Sequence, residues 1–229
     1  MLIDCHTHTT RHSACSRIEP DTLCRLALER SLDGIVLSEH RVTWDPGELA
    51  ALRGDFPALA IYSGIEVTVR EGYDIVCVSP HPVELKPLYP DLEELHRIIG
   101  PYREECFLFV AHAFRYEDIF TTGLRDILAY VDGIEMRSVN ILRNGYSNSP
   151  SGLRPGNAAC YTQARDEYGL IPVFNTDCHW PDAVGSVAND IDAPAPPKDE
   201  AGLVGLLRTT HLSEYQNVSR LRQTLARYS

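Results

Sequence analysis

Five short apolar runs in this chain each end in a histidine or a carboxylate, and that regularity constrains the fold more than any other feature. The first is Met1-Leu-Ile-Asp-Cys-His6-Thr-His8. The others are Ile35-Val-Leu-Ser-Glu-His40, Ile61-Tyr-Ser-Gly-Ile-Glu66, Leu108-Phe-Val-Ala-His112 and Ile171-Pro-Val-Phe-Asn-Thr-Asp177-Cys-His179. Strand side chains alternate between faces, so His6 and His8 point the same way and can reach one ion from the end of a strand. A lone His-x-His pair is weak evidence. Donors at the ends of five apolar runs converge only if those runs are strands lying side by side, and the pattern predicts a metal centre there.

The segments between these runs read as helices. Glu19-Pro20-Asp21 opens one, with Leu23, Leu26 and Ala27 at helical spacing. Asp45-Pro46 starts a second, and helices are expected over Leu92–Ile99, 124–130 and 157–168. Strands are expected over 1–4, 35–37, 60–62, 65–69, Asp74–Val78, Phe107–Ala111, 133–136 and Ile171–Phe174. Alternation of this kind indicates βαβ units around a parallel sheet. With each donor at the carboxyl end of a strand, the reading is a βα barrel, expected to occupy residues 1–229 as one domain. Residues 140–156, rich in Asn, Ser, Gly and Pro, are expected to form a long loop over the site, 192–199 an exposed crossover, and 213–228 a closing helix.

Charge and cysteine usage narrow the functions further. A net charge of −11 argues against a long nucleic acid as partner, since such binding needs a basic footprint. Small anionic substrates remain compatible, because divalent cations reverse the field locally. No run approaches the roughly 20 apolar residues of a membrane span, and Asp4 and His6 interrupt the amino terminus before a signal-peptide core forms, so a cytoplasmic location is the expectation. The seven cysteines include no Cys-x-x-Cys pair and read as reduced thiols. Alternation turns Cys5 away from His6 and His8, and neither Cys5 nor Cys178 is taken as a ligand.

In order along the chain, Asp4-Cys-His-Thr-His8, Leu32-Asp-Gly-Ile-Val-Leu-Ser-Glu-His40, Gly64-Ile-Glu66, Ala111-His-Ala-Phe-Arg115, Gly133-Ile-Glu135, Thr176-Asp-Cys-His179 and Val184-Gly185 resemble the PHP (polymerase and histidinol phosphatase) superfamily. The resemblance implies an α/β fold, a distorted (β/α)7 barrel with two or three divalent metal ions (Zn, Mn or Fe) at the carboxyl ends of the strands. It implies one ion on His6, His8, Glu66 and Asp177, a second bridged by Glu66 and bound by His112, and a third on His40 and His179. Mixed imidazole and carboxylate ligation suits Zn²⁺, Mn²⁺ or Fe²⁺ independently of any resemblance. Two departures bear on the second and third ions. Tyr73 stands where some members carry a histidine, which turns attention to His81; His12, in the first loop, is a further candidate for the third ion. His96 and His211 read as surface or half-buried side chains.

The implied activity is a metal-dependent phosphoesterase acting on a small phosphomonoester or terminal phosphodiester, with hydroxide generated at the metals attacking phosphorus. Glu66, Asp177 and His179 are the catalytic candidates at the metals. Among the arginines, Arg115 and Arg137 are preferred over Arg143 and Arg154 as phosphate-holding forks, because they follow His112 and the strand over 133–136. Asp4 and Glu39 flank ligands and are expected to orient them or to pack the barrel. A metal-dependent amide or ring hydrolase and a noncatalytic metal-binding domain are the alternatives. Against the first, neither Lys86 nor Lys198 ends a strand.

Overall fold

The computed structural model describes residues 1–228. Its strands are β1 (Leu2–Thr7), β2 (Gly34–Leu37), β3 (Ala60–Thr68), β4 (Asp74–Val78), β5 (Phe107–Ala111), β6 (Gly133–Arg137), β7 (Tyr146–Ser149), β8 (Gly152–Pro155), β9 (Ile171–Phe174), β10 (Val187–Ile191) and β11 (Leu212–Gln216). The helices are α1 (Pro20–Glu29), α2 (Pro46–Asp55), α3 (Leu92–Ile99), α4 (Thr122–Leu128), α5 (Val139–Leu142), α6 (Ala158–Tyr168), α7 (Glu200–Thr209) and α8 (Val218–Leu225). Local chemistry starts several of them. Pro20 opens α1, the Asp45 carboxylate accepts from the Gly47 and Glu48 amides at the start of α2, and Asp91 and Glu94 form a reciprocal cap on α3. Among the described residues, no helix is long and apolar enough to cross a membrane.

Nine strands form one sheet in the order β11-β10-β1-β2-β3-β4-β5-β6-β9. The seven from β1 to β9 make the barrel wall. It closes at one end because the chain after β9 returns to β1. There the Asp177 amide donates to the His6 carbonyl at 2.9 Å, and Thr7 pairs with Cys178. Lower down, Asn189 of β10 bridges the same gap, accepting from the Phe174 amide at 2.9 Å and donating to the Ile3 carbonyl at 3.0 Å. β10 and β11 are antiparallel additions beside β1, and β7 and β8 form a separate hairpin.

The expected parallel sheet needs one correction. β4 runs antiparallel to both β3 and β5. The connection from β3 to β4 is a tight turn through Gly72, whose φ of +89° suits glycine, and it is too short for a parallel crossover. The apolar stretches over 60–62 and 65–69 are therefore not two strands; 60–68 is one strand and the first arm of a hairpin.

Two layers of apolar packing follow from strand alternation. Ile35, Leu37, Ile65, Val67, Ile75, Leu108, Val110 and Ile134 face outward onto residues of α1 to α4 and α6. Inside the barrel, Ile3, Cys5, Val36, Tyr62, Val76, Phe107, Phe109 and Val173 fill the lumen, with Leu203, Val204 and Leu207 of α7 packed among them. Arg208 fastens α7 to the end where β5 begins, donating to the Cys106 carbonyl at 2.6 Å. One end of the lumen is thus plugged with hydrocarbon and the other is left for polar side chains. Gly133 shows how tight the wall is, because a Cβ there would stand 2.8 Å from the Ile171 carbonyl oxygen.

Candidate metal centre

Each donor reaches the open end of the barrel by a local device. β1 carries a register shift between Asp4 and Thr7, so strict alternation fails there. Cys5 joins the lumen packing, and His6 and His8 stand above it, with the His6 ring edge-on to Phe109 at 6.2 Å. His40 follows β2 and pairs with Glu66 across the sheet, where Arg41 takes a left-handed φ of +61°. Glu66 lies within β3, not at its end, because β3 runs on into the hairpin. His112 and Asp177 also have positive φ, +32° and +52°. Such conformations are costly outside glycine and persist where surrounding structure imposes them, commonly at functional sites.

The side chains converge closely. From His6 Nε2 it is 3.4 Å to Glu66 Oε1 and 3.6 Å to Asp177 Oδ1. His8 Nε2 is 3.4 Å from Glu66 Oε2 and 3.3 Å from Asp177 Oδ1, and His112 Nε2 is 3.3 Å from Glu66 Oε1. Two donors each about 2.1 Å from a tetrahedral ion sit about 3.4 Å apart, so this spacing is that of ligands sharing a cation. His6 Nε2 and His8 Nε2 are buried without any hydrogen-bond partner. Buried imidazole nitrogens left unpaired are expensive, and a cation among them would remove that cost. Three groups of donors result, two of them sharing His8: His6, His8 and Asp177; Glu66, Asp74 and His112; and His8, His40 and His179.

A surrounding set of hydrogen bonds holds the donors in place. Glu135, fully buried, accepts from His6 Nδ1 at 3.0 Å and from the His112 amide at 3.1 Å. A carboxylate only accepts, so this contact makes Nδ1 the protonated nitrogen and leaves Nε2 for a metal. Asn140 donates to Asp177 Oδ2. Ser13 Oγ contacts His8 Nδ1 at 3.3 Å and donates to Glu39 at 2.6 Å.

The electrostatics point the same way. Burial would lower the His6 pKa, yet Asp177, Glu66 and Glu135 hold it well above its ordinary value. Burial would raise Glu66 and Asp177, but the histidines around them keep both carboxyls well below the usual range. His8 is pushed down to about 3, mainly by burial. The pocket keeps Glu66 and Asp177 ionised and favours the protonated form of His6, which is how a cation site behaves when its cation is replaced by protons, while His8 stays a neutral donor.

The structure brings His6, His8, His40, Glu66, His112, Asp177 and His179 together and leaves two expected ligands outside. His81 follows the carboxyl end of β4, and because β4 is antiparallel that end is the plugged one. There His81 contacts Glu105 at 3.0 Å and packs on Tyr102. The amino end of the same strand supplies Asp74 instead. His12 turns away over Trp44, 3.8 Å from Glu48, and the neighbouring Cys15 takes the position beside His40. Tyr73 bonds Thr121 at 2.7 Å. Asp4, raised to about 7 by burial, is bonded to Thr176, and Glu39 accepts from Thr9, Ser13 and the Trp44 indole. Both serve positioning, as expected of them.

The arginines divide differently from the sequence expectation. Arg137 does not reach the centre. A register shift in β6 between Glu135 and Arg137 turns it outward, where it is buried in a two-point pair with Glu214 at 2.7 and 3.1 Å. Arg154 shares Glu214. Arg115 and Arg143 instead line a cavity of about 300 Å³ above the donors, together with Cys15, Asn140, Trp180 and Tyr228. Among the described residues neither guanidinium makes an ion pair. Trp180 and Tyr228 had no signal in the sequence, because both arrive from segments without a motif. Asp74 was visible only as the polar start of a strand, and Glu135 only as the end of the Gly133-Ile-Glu135 motif, with no role assigned to it.

No family model matches this sequence, and no curated protein matches it. Solved structures do. PsfC from Pseudomonas syringae superposes with a TM-score of 0.67 at 16% identity, over 99% of this chain and 95% of that one. A two-domain protein from Bacteroides vulgatus, described as containing a predicted PHP-like metal-dependent phosphoesterase, gives 0.66 at 14% identity over 100% of this chain and 69% of that one. This chain shares the fold of these structures. An amidohydrolase from Chromobacterium violaceum, with bound sulfate and no metal, also aligns, with a TM-score of 0.59 at 18% identity over 86% of this chain and 93% of that one. The PHP-type and amidohydrolase barrels therefore both resemble this one in backbone, and the choice between their chemistries rests on side chains.

Proposed function

We propose that this protein is a metal-dependent phosphoesterase that hydrolyses a small phosphorylated substrate, with two or three divalent cations of the Zn²⁺, Mn²⁺ or Fe²⁺ class. The observation that carries the reading is the stacking of two layers. Unpartnered buried imidazole nitrogens meet Glu66 and Asp177 below, and two guanidiniums free of carboxylate partners, Arg115 and Arg143, face the same cavity above. His6, His8 and Asp177 would hold one cation; Glu66, Asp74 and His112 a second; and His40 and His179 a further one. Bound there, such cations act as Lewis acids on phosphoryl oxygens and lower the pKa of coordinated water to about 7.

The chain's own residues supply the rest. Planar guanidinium forks match phosphate oxygens, and Arg115 and Arg143 orient the phosphoryl group and balance charge as it develops. Glu135 and Asn140 keep His6 and Asp177 from rotating away, so the geometry is set before substrate arrives. A cavity of about 300 Å³ is the size of a small-molecule site. That volume, with the net charge of −11, argues for a small substrate and against a long nucleic acid. The two unpaired arginines favour a phosphoester over an amide, as does the placement of both lysines away from the cavity lining.

The test is a panel of phosphoesters, amides and lactones offered to protein reconstituted with Mn²⁺, Fe²⁺ or Zn²⁺. Phosphoester hydrolysis is expected, and Glu66→Gln should lower it roughly a hundredfold or more with circular dichroism unchanged, as loss of metal-based charge stabilisation implies. Amide or lactone turnover by metal-loaded protein inert toward every phosphoester would overturn the reading.

A further inference from the structure

The loop between β1 and α1 is folded back upon the rim of the centre by its own backbone. Ser13 N donates to the Thr9 carbonyl at 3.0 Å, Thr10 N to Ile18 O at 2.8 Å, and Arg17 N to the carbonyl of His179 at 2.8 Å. Ser16 Oγ donates to the His8 carbonyl at 3.0 Å. These bonds tie the loop to two of the donor segments at once, and they deliver one side chain to the gap between them. Cys15 Sγ lies 3.2 Å from His40 Nε2 and lines the cavity beside His179.

Three features make this more than a cysteine near histidines. His8, His40 and His179 offer nitrogens within 4.8 Å of one another, so a multidentate set exists without the thiol. His8, fully buried, has an Nε2 with no hydrogen-bond partner, 3.3 Å from Asp177 Oδ1, and its ring stacks on His40 at 4.4 Å and lies 4.5 Å from that of His179. Cys15 Sγ and His40 Nε2, 3.2 Å apart, are within about 0.4 Å of the roughly 3.6 Å that separates a sulfur about 2.3 Å and a nitrogen about 2.1 Å from one tetrahedral cation, so a small displacement seats an ion between them. The other thiols are buried or half-buried and none lines this cavity.

We propose that Cys15 is a thiolate ligand, completing with His40 and His179 a thiophilic cation site at the rim of the centre. The inference rests on the metal-centre reading above and adds to it a ligand type and a metal preference. Coordination releases the thiol proton to solvent, and the sulfur lone pair forms the bond to the cation. A thiolate shifts selectivity towards Zn²⁺ and other softer divalent ions and away from Mg²⁺ or Ca²⁺, while the deeper nitrogen and carboxylate sites keep a broader choice.

The test uses Co²⁺ as a coloured substitute, with wild type, Cys15→Ser and, as control, Cys160→Ser, all stripped by chelation and reloaded. A thiolate-to-Co²⁺ charge-transfer band in the near ultraviolet is expected in wild type and Cys160→Ser and absent in Cys15→Ser. The visible ligand-field absorption of ions on the deeper donors should persist in all three. The most weakly held Co²⁺ should bind at least about tenfold more weakly in Cys15→Ser, since loss of even an outer hydrogen-bond partner costs that much. Co²⁺ binding to wild type with no charge-transfer band, or a band that survives Cys15→Ser, would overturn the thiolate ligand and leave the metal centre standing. No Co²⁺ binding by any of the three proteins would overturn both.

Discussion

Glu135 offers the sharpest test of the centre, because it touches no substrate and no proposed cation, yet two ligands depend on it. Its Oε1 takes His6 Nδ1 at 3.0 Å and Asn175 Nδ2 at 3.2 Å, and its Oε2 takes the His112 amide at 3.1 Å. All three partners are donors, so a carboxylate satisfies them and an amide cannot. In Glu135→Gln the new NH₂ must face either His112 N–H or the His6 and Asn175 donors, whichever way it flips. A charge-assisted hydrogen bond is worth about 1.5 to 3 kcal/mol, which converts to about 10- to 150-fold in an equilibrium constant. Only the part that differs between loaded and empty protein enters the affinity. The expected loss is therefore about 10- to 100-fold in affinity for the cation on His6, the range in which such outer partners act. Competition against a chromophoric chelator measures it, with circular dichroism as the check on folding and Glu84→Gln, an exposed surface change, as control. If the folded Glu135→Gln protein holds its cations within twofold of wild type, the carboxylate does not orient the centre.

Arg115→Lys and Arg143→Lys should each reduce kcat/KM by roughly 10- to 100-fold, about 1.4 to 2.7 kcal/mol, with metal content unchanged; wild-type kinetics in both would remove the guanidiniums from phosphate recognition. Arg137→Met should act on stability instead, since it removes a two-point charge-assisted contact and leaves Glu214 with Arg154 as its remaining cationic partner; about 2 kcal/mol corresponds to a Tm lower by about 4 to 8 °C, read by thermal melting. Chelation should destabilise the wild-type fold, because cations at about a thousand times their Kd add about 4 kcal/mol, or about 8 to 16 °C in Tm; an unchanged melt after stripping would mean that the buried donors need no cation.

Most of the barrel was legible from the chain. Phe107–Ala111, Ile171–Phe174, Asp74–Val78 and Leu92–Ile99 are bounded in the structure where periodicity and turn residues put them, because their ends are set by local chemistry. The expected loop over 140–156 contains the β7–β8 hairpin, and the expected closing helix begins as β11 before α8. Those strands are polar on their exposed faces and owe their form to partners far along the chain, which no short window records.

The same division runs through the site. Donors that end apolar runs, His6, His8, His40, His112, Asp177 and His179, could be found from sequence, since burying a strand fixes where its last polar residue emerges. What sequence could not supply was the direction of each strand and the course of the first loop. The antiparallel β4 exchanges His81 for Asp74 at the open end, and a register shift in β6 sends Arg137 to Glu214 while Arg143 faces the cavity. The loop bonded to the His8 and His179 carbonyls brings Cys15, not His12, to His40. Residue type and spacing determine which groups are able to bind a cation; strand polarity, bulges and loop hydrogen bonds, all made between distant segments, decide which of them share one.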